Sequence, residues 1–197
     1  TTRCEGFRAL APQPKPAMKR FTGIQTQALA AAVLSLFFAC AGTPATESGN
    51  GDPTPAPGKV IFAAPDAKTS GDGSIERPCT VHQAVEKAAK GWTIYLRGGE
   101  YTLVKRLELN ARGTEAEPIR MLAYNREKPV FECSGLTEAV WSRQGIVLRE
   151  GCYWYLQGIE VTGAYNEGFR IVNGSHNTFD RCVAHHNGGS GFSMSFG

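Results

Sequence analysis

The sequence predicts an all-β solenoid, and three observations predict it. The segments Gly145-Ile146-Val147-Leu148-Arg149, Gly168-Phe169-Arg170-Ile171-Val172 and Gly191-Phe192-Ser193-Met194-Ser195 stand in register, their leading glycines 23 residues apart twice. The same shift aligns Phe131, Trp154 and Asn177, then Cys133, Leu156 and Phe179, then Leu136, Ile159 and Cys182. Each unit holds about three short strand-like runs separated by Gly, Asn and Ser. A unit of this length cannot bury its own apolar face and must stack on its neighbours.

The chain has 197 residues, and residues 1–17, ahead of Met18, read as an upstream segment that is not part of the native protein. Met18-Lys19-Arg20 and the 12-residue run Ala28 to Ala39 have the form of a signal peptide over 18–40. A basic start is followed by an apolar stretch too short to span a bilayer as a helix. Two exits compete. Phe38-Ala39-Cys40 resembles a bacterial lipobox, with Cys40 as the lipidated residue and Phe37 where Leu is usual. Ala39-Cys40-Ala41 equally fits ordinary cleavage of a secreted protein. Membrane association is expected only through that lipid anchor. The formal charge of +3 belongs to the leader, since residues 41–197 carry 16 basic and 17 acidic side chains. No Lys/Arg stripe argues for nucleic acid.

Residues 41–58, rich in Thr, Pro, Gly, Ser and Ala, predict a flexible tether. The β domain then runs over 59–197. Lys59 to Ala64 reads as a first strand and Asp66 to Pro78 as loop. Thr80 and Gln83 form a capping box, Val81, Ala84, Val85 and Ala88 recur at helical spacing, and Gly91 supplies a stop. The expected helix of about ten residues is narrow and Ala-rich, suited to covering the open end of a solenoid. Thr93 to Arg97 is a strand, Gly98-Gly99 a turn, and Tyr101 to Leu109 contains a further strand. Pro118 to Tyr124 alternates as a half-buried strand, Asn125 to Pro129 turns, and Val130 to Cys133 is strand-like again. Of six cysteines, Cys133 and Cys182 fall in columns otherwise filled by Leu, Ile and Phe, which marks them as core thiols. No Cys or His spacing suggests zinc.

Phe62 to Asp66, Trp92 to Tyr101, Glu127 to Val130, the block Gly151 to Val161 and Asn177 to Gly191 are together similar to family-nine polysaccharide lyases, the pectate-lyase-like enzymes. The resemblance covers about residues 60–197. It implies an all-β, right-handed parallel β-helix of about 23 residues per coil with a short N-terminal capping helix. It also implies calcium-assisted β-elimination on an acidic, pectate-like polysaccharide. In that chemistry an aspartate cluster holds Ca²⁺ and a lysine removes the C5 proton. The physical need is positive charge near the developing enolate, and calcium takes hard oxygen ligands. This chain departs from the pattern. After the leader its only aspartates are Asp52, Asp66, Asp72 and Asp180, and no lysine follows Lys128. No metal ligands are therefore assigned, and the catalytic residues are expected beyond Gly197. The β-helix is expected to be truncated at its C-terminal end, inactive alone and poorly soluble.

Alternation in the glycine-led strands places Ile146, Leu148, Phe169, Ile171, Phe192 and Met194 inside. Val147, Arg149, Arg170, Val172, Ser193 and Ser195 then face out. Arg149 and Arg170 form a candidate cationic patch for uronate carboxylates, or else pair with Glu150 and Glu167. His185, His186 and Asn187 supply a candidate base or substrate donor, or else a polar turn. Tyr155 is a candidate sugar platform. The alternatives are a non-catalytic glycan-binding or adhesin β-helix, or another β-helix carbohydrate enzyme such as an alginate or chondroitin lyase or a hydrolase.

Overall fold

The protein is described by a computed structural model over residues 59–196. The expected leader with Cys40 and the expected tether lie outside the described residues. Thirteen short strands run in chain order: β1 (Val60–Ala63), β2 (Thr93–Leu96), β3 (Gly99–Thr102), β4 (Leu107–Glu108), β5 (Ile119–Ala123), β6 (Pro129–Glu132), β7 (Ile146–Arg149), β8 (Trp154–Gln157), β9 (Glu160–Thr162), β10 (Phe169–Val172), β11 (Thr178–Asp180), β12 (Val183–His185) and β13 (Phe192–Ser195). One helix, α1 (Val81–Lys87), lies between β1 and β2. No described helix is long and apolar enough to cross a membrane.

The strands form three sheets, ordered β1-β2-β5-β8-β11, β3-β6-β9-β12 and β4-β7-β10-β13. All neighbours are parallel. Each coil thus lends one strand to each sheet, which is a parallel β-helix. The inward residues stack in columns. Ile61, Ile94, Met121, Leu156 and Phe179 line the first sheet. Tyr101, Phe131, Val161 and Ala184 line the second. Leu107, Ile146, Phe169 and Phe192 line the third. Ring stacking reinforces two of these columns, at 4.9 Å for Tyr101–Phe131 and 4.6 Å for Phe169–Phe192.

The 23-residue step holds through the later coils only. Tyr155 pairs with Thr178 and Ile146 with Phe169, each 23 positions on, whereas Thr93 pairs with Arg120, 27 on, and Leu107 with Ile146, 39 on. Three expected columns consequently lose their first member. Phe131 pairs with Val161, and Trp154 pairs with Ile119. Cys133 donates its N–H to Thr162 O, and Leu136 turns back onto Cys133 O at 3.2 Å. The cause is an insertion between β6 and β7, which lengthens the coil on its outside and leaves the core spacing intact.

The capping box forms as expected: Gln83 N–H donates to Thr80 Oγ1 at 3.3 Å and Thr80 N–H to Gln83 Oε1 at 3.2 Å. The helix is shorter than the ten residues expected, because Ala88 is already extended at ψ 133. Gly91, at φ +76, then gives its N–H to Glu117 O and returns the chain into β2. Buried Val81, Ala84 and Ala88 pack on the first coil, beside β1 and β2. The expected single strand within Tyr101 to Leu109 divides into the end of β3 and β4.

The corners of the coil repeat with the same 23-residue step. Left-handed backbone occurs at Glu150 and Asn173, at Tyr153 and His176, at Gly158 and Arg181, and at Gly163 and His186. The leading glycines stack for a different reason, which is close approach. A Cβ on Gly145 would lie 2.8 Å from Gly168 O, and one on Gly168 would lie 3.0 Å from Gly191 O.

Facing follows the expected alternation, with differences in exposure. Val147 points outward yet is buried, in register between Glu108 and Arg170. Phe192 and Met194 stand in the inward columns but are 45% and 61% exposed. No described coil lies on their far side. Among the described residues Cys79, Cys133 and Cys182 are free thiols, and burial pushes the Cys133 thiol up to about 12.

Candidate functional site

The candidate residues lie on the outer faces of all three sheets. On the first sheet, alternation in β8 and β11 turns Tyr155, Gln157 and Asp180 outward. The Tyr155 hydroxyl donates to Asp180 Oδ2 at 3.1 Å, Gln157 Nε2 donates to the same oxygen at 2.9 Å, and the Arg181 guanidinium lies 3.2 Å away. The Gln157 bond, aided by Tyr155 and Arg181, holds the Asp180 carboxyl below the usual range. Burial and the bond to Asp180 raise the Tyr155 phenol. Farther along this face Phe62, Tyr95 and Tyr124 pack at 5.3 to 5.5 Å. Arg97 lies 5.5 Å over Tyr124 and pairs with Glu127 at 3.0 Å.

On the third sheet Arg149 and Arg170 share the outer face but not a column. Arg149 pairs in register with Val172, and Arg170 with Val147. Arg170 is engaged: it donates to Glu167 Oε1 at 3.0 Å, to Ser193 Oγ at 2.9 Å and to Ser195 Oγ at 3.2 Å. Arg149 is exposed and feels the nearby Glu108 carboxylate. Glu150 pairs with Arg112 at 3.0 Å. The two guanidiniums therefore stand in different electrostatic settings.

On the second sheet His185 is the last residue of β12 and points outward beside Thr162. Its Nε2 lies 2.7 Å from Glu160 Oε1, and its Nδ1 faces Thr162 Oγ1 at 3.4 Å and His186 Nδ1. A carboxylate-paired imidazole of this kind can hold and pass a proton. Sequence inspection missed Glu160. The 23-residue step carries the signal, because it sets Thr162, two residues past Glu160, beside His185. Asn187 lies at the following corner and accepts the Ala164 N–H at 2.9 Å through Oδ1. Asn177 acts similarly one sheet away, accepting from Trp154 N–H and donating to Gly151 O, both at 2.9 Å.

The described residues do not fit calcium. Six to eight oxygen ligands are required, and no group of three or more metal-binding side chains occurs among them. Asp180, the one aspartate in the later coils, already accepts from Tyr155 and Gln157.

The fold defines a class: a parallel β-helix with polar outer faces around a stacked apolar core. The chain belongs to the Pel9A-like right-handed β-helix family, whose model matches residues 61–197. Pectate lyase L of Dickeya chrysanthemi is 33% identical over 148 residues, which are 71% of this chain and 34% of that protein. Pectate lyase L of Paenibacillus polymyxa (strain SC2) is 33% identical over 152 residues, 76% of this chain and 33% of that one. The crystal structure of pectate lyase Pel9A superposes with a TM-score of 0.57 at 28% identity, over 68% of this chain and 38% of that chain. This chain spans about a third of the length of the curated relatives it matches.

Proposed function

We propose that these coils belong to a polysaccharide lyase that cleaves pectate-like uronic-acid polymers by β-elimination. The observation that carries this proposal is the family match over residues 61–197, joined by relatives named pectate lyase at 33% identity. β-Elimination takes the proton next to the uronate carboxylate and expels the glycosidic oxygen, so the enzyme must bind and neutralise that carboxylate. Arg149 suits the binding part. It is exposed at the end of β7, and its planar fork matches a carboxylate. Arg170, Tyr155, His185, His186 and Asn187 remain substrate-binding candidates whose polar groups already have partners. Calcium assistance and proton removal fall, in this proposal, to residues other than those described here, and no step is assigned to a metal within these coils.

The test is to incubate the whole protein with polygalacturonate and calcium and follow the ultraviolet absorbance of the unsaturated uronate. A rise that a chelator abolishes is expected. Absence of that absorbance on every acidic glycan tried would sink the lyase assignment. Export with lipidation at Cys40 is part of the same proposal. Cys40→Ala should move the protein from the membrane to the soluble fraction, and an unchanged distribution would remove the anchor.

A further inference from the structure

One corner of the coil stack carries nearly all the exposed apolar side chains of the earlier coils. Outside the last coil the large exposed apolar residues are Ile75, Val104, Val140, Trp141 and Tyr165. All but Ile75 lie where the chain passes from the second sheet to the third. Val104 is on the β3–β4 connection, Val140 and Trp141 on the β6–β7 insertion, and Tyr165 on the β9–β10 connection. Trp141 is 79% exposed and Tyr165 59%. A tryptophan that open gives the fold no core contact, so its presence calls for another occupant of its ring face.

The loop that bears it is built, not loose. Residues Val140–Ser142 form a single 3-10 turn. Gln144 Nε2 donates to Trp141 O at 2.7 Å, Arg143 Nε to Glu138 O at 2.8 Å, and the Glu138 carboxylate accepts the Arg106 N–H at 3.1 Å. Asn166, next to Tyr165, donates to Val140 O at 2.6 Å through Nδ2 and to Arg143 O at 3.1 Å through its backbone. Gly188 and Gly189 of the next coil donate to Ala164 O and Asn166 O, both at 2.8 Å. The backbones that flank the two aromatic rings are therefore hydrogen-bonded to each other and locked to the coil below.

The surroundings select the occupant. Val104 and Val140 share this corner with the two rings, and Ser142, Gln144 and Asn166 border them with polar groups. A pyranose has the matching form, with a C–H face for an aromatic ring and a rim of hydroxyls. Rings fixed on a rigid loop lose little entropy on binding. We propose that Trp141 and Tyr165 form a sugar-stacking platform that holds a pectate-like polysaccharide along this corner. This rests on the polysaccharide substrate proposed above and names a binding element that the lyase chemistry does not require.

Intrinsic fluorescence reports on the platform, because among the described tryptophans Trp154 is fully buried and Trp92 half-buried, leaving Trp141 as the open one. In the whole protein, titration with polygalacturonate should change the tryptophan emission. W141A should diminish that change and weaken binding about fivefold to tenfold, with Y165A intermediate. Both positions are exposed, so circular dichroism should be unaltered. Equal affinity for W141A, Y165A and the parent overturns the platform, as does a parent that binds no polygalacturonate. A variant that changes the oligomeric state and leaves glycan affinity unmoved also overturns it. Activity measured on the same samples separates the two proposals. A parent that cleaves, with W141A at unchanged KM, removes the platform and keeps the lyase. A parent that binds through Trp141 and cleaves no acidic glycan keeps the platform and removes the lyase.

Discussion

Glu127 shows how single side chains tie one coil to the next. It follows the turn after β5 and reaches back to the previous coil, where it accepts from Arg97 Nε at 3.0 Å and from the Gly98 N–H. Burial raises its carboxyl, but the bonds from Arg97 and Gly98 outweigh that and hold it below its ordinary value. A carboxyl with a depressed folded pKa gives stability that is complete above its unfolded value of about 4.3 and is lost as pH falls through the folded one. Both side chains are partly exposed, which screens the pair. Glu127→Gln should therefore lower the melting temperature by a few degrees at pH 7. The difference from the parent should narrow toward pH 3, as falling pH protonates the parent's carboxylate. Thermal melts at the two pH values check this; a gap that persists unchanged at pH 3 would assign the effect to packing instead.

At the scale of elements, the corners decide how the coils close. Gly163 and His186 occupy equivalent corners 23 residues apart, at φ +73 and +53. An L-residue in that region costs roughly 1–2 kcal/mol, which glycine avoids at the expense of some chain entropy. Gly163→Ala should destabilise, both through φ and because its Cβ would collide with Glu132 Oε1. His186→Gly should be neutral or stabilising by up to about 1 kcal/mol. Urea midpoints of the two variants should move in opposite directions or, for His186→Gly, not at all; a large loss there would mean that the His185–His186 contact outweighs the strain. These corners also explain what the sequence could and could not reveal. The last coils were legible because Gly145, Gly168 and Gly191 stack by close backbone approach, and so repeat visibly. The capping box was legible because Thr80 and Gln83 act locally. The columns through Phe131, Cys133 and Leu136 misled because a loop insertion shifts register without changing the core, and nothing in composition marks where an insertion starts. The candidate residues were recognisable by type, whereas their partners were not. Arg170 with Ser193 and Ser195, and Asn187 with Ala164, meet only through the stacking of coils. Trp141 was overlooked because it lies on the β6–β7 insertion, which fits no column.

The described coils form a one-dimensional stack, so stability should be graded along their axis. Each coil in such a stack is held by its neighbours, and the cost of a core truncation depends on how many sides are covered. Phe169 and Phe192 provide a matched pair. They occupy the same column and stack on each other, yet Phe169 is fully buried between Ile146 and Phe192 while Phe192 is nearly half exposed. Truncating a buried phenylalanine costs about 3–5 kcal/mol. Phe169→Ala should approach that value, because it also removes edge contacts to Phe179 at 5.4 Å. In this chain, where Phe192 is 45% exposed, Phe192→Ala should cost less than half as much. Hydrogen exchange of this chain should show the same gradient. The amides of β13 should exchange first, those of β10 and β7 later, and those of β2 and β5, farther along the stack from β13, last. A single uniform protection factor across all three sheets, with equal losses for the two phenylalanine variants, would show that the stack unfolds as one unit and that position along the axis has no bearing on stability.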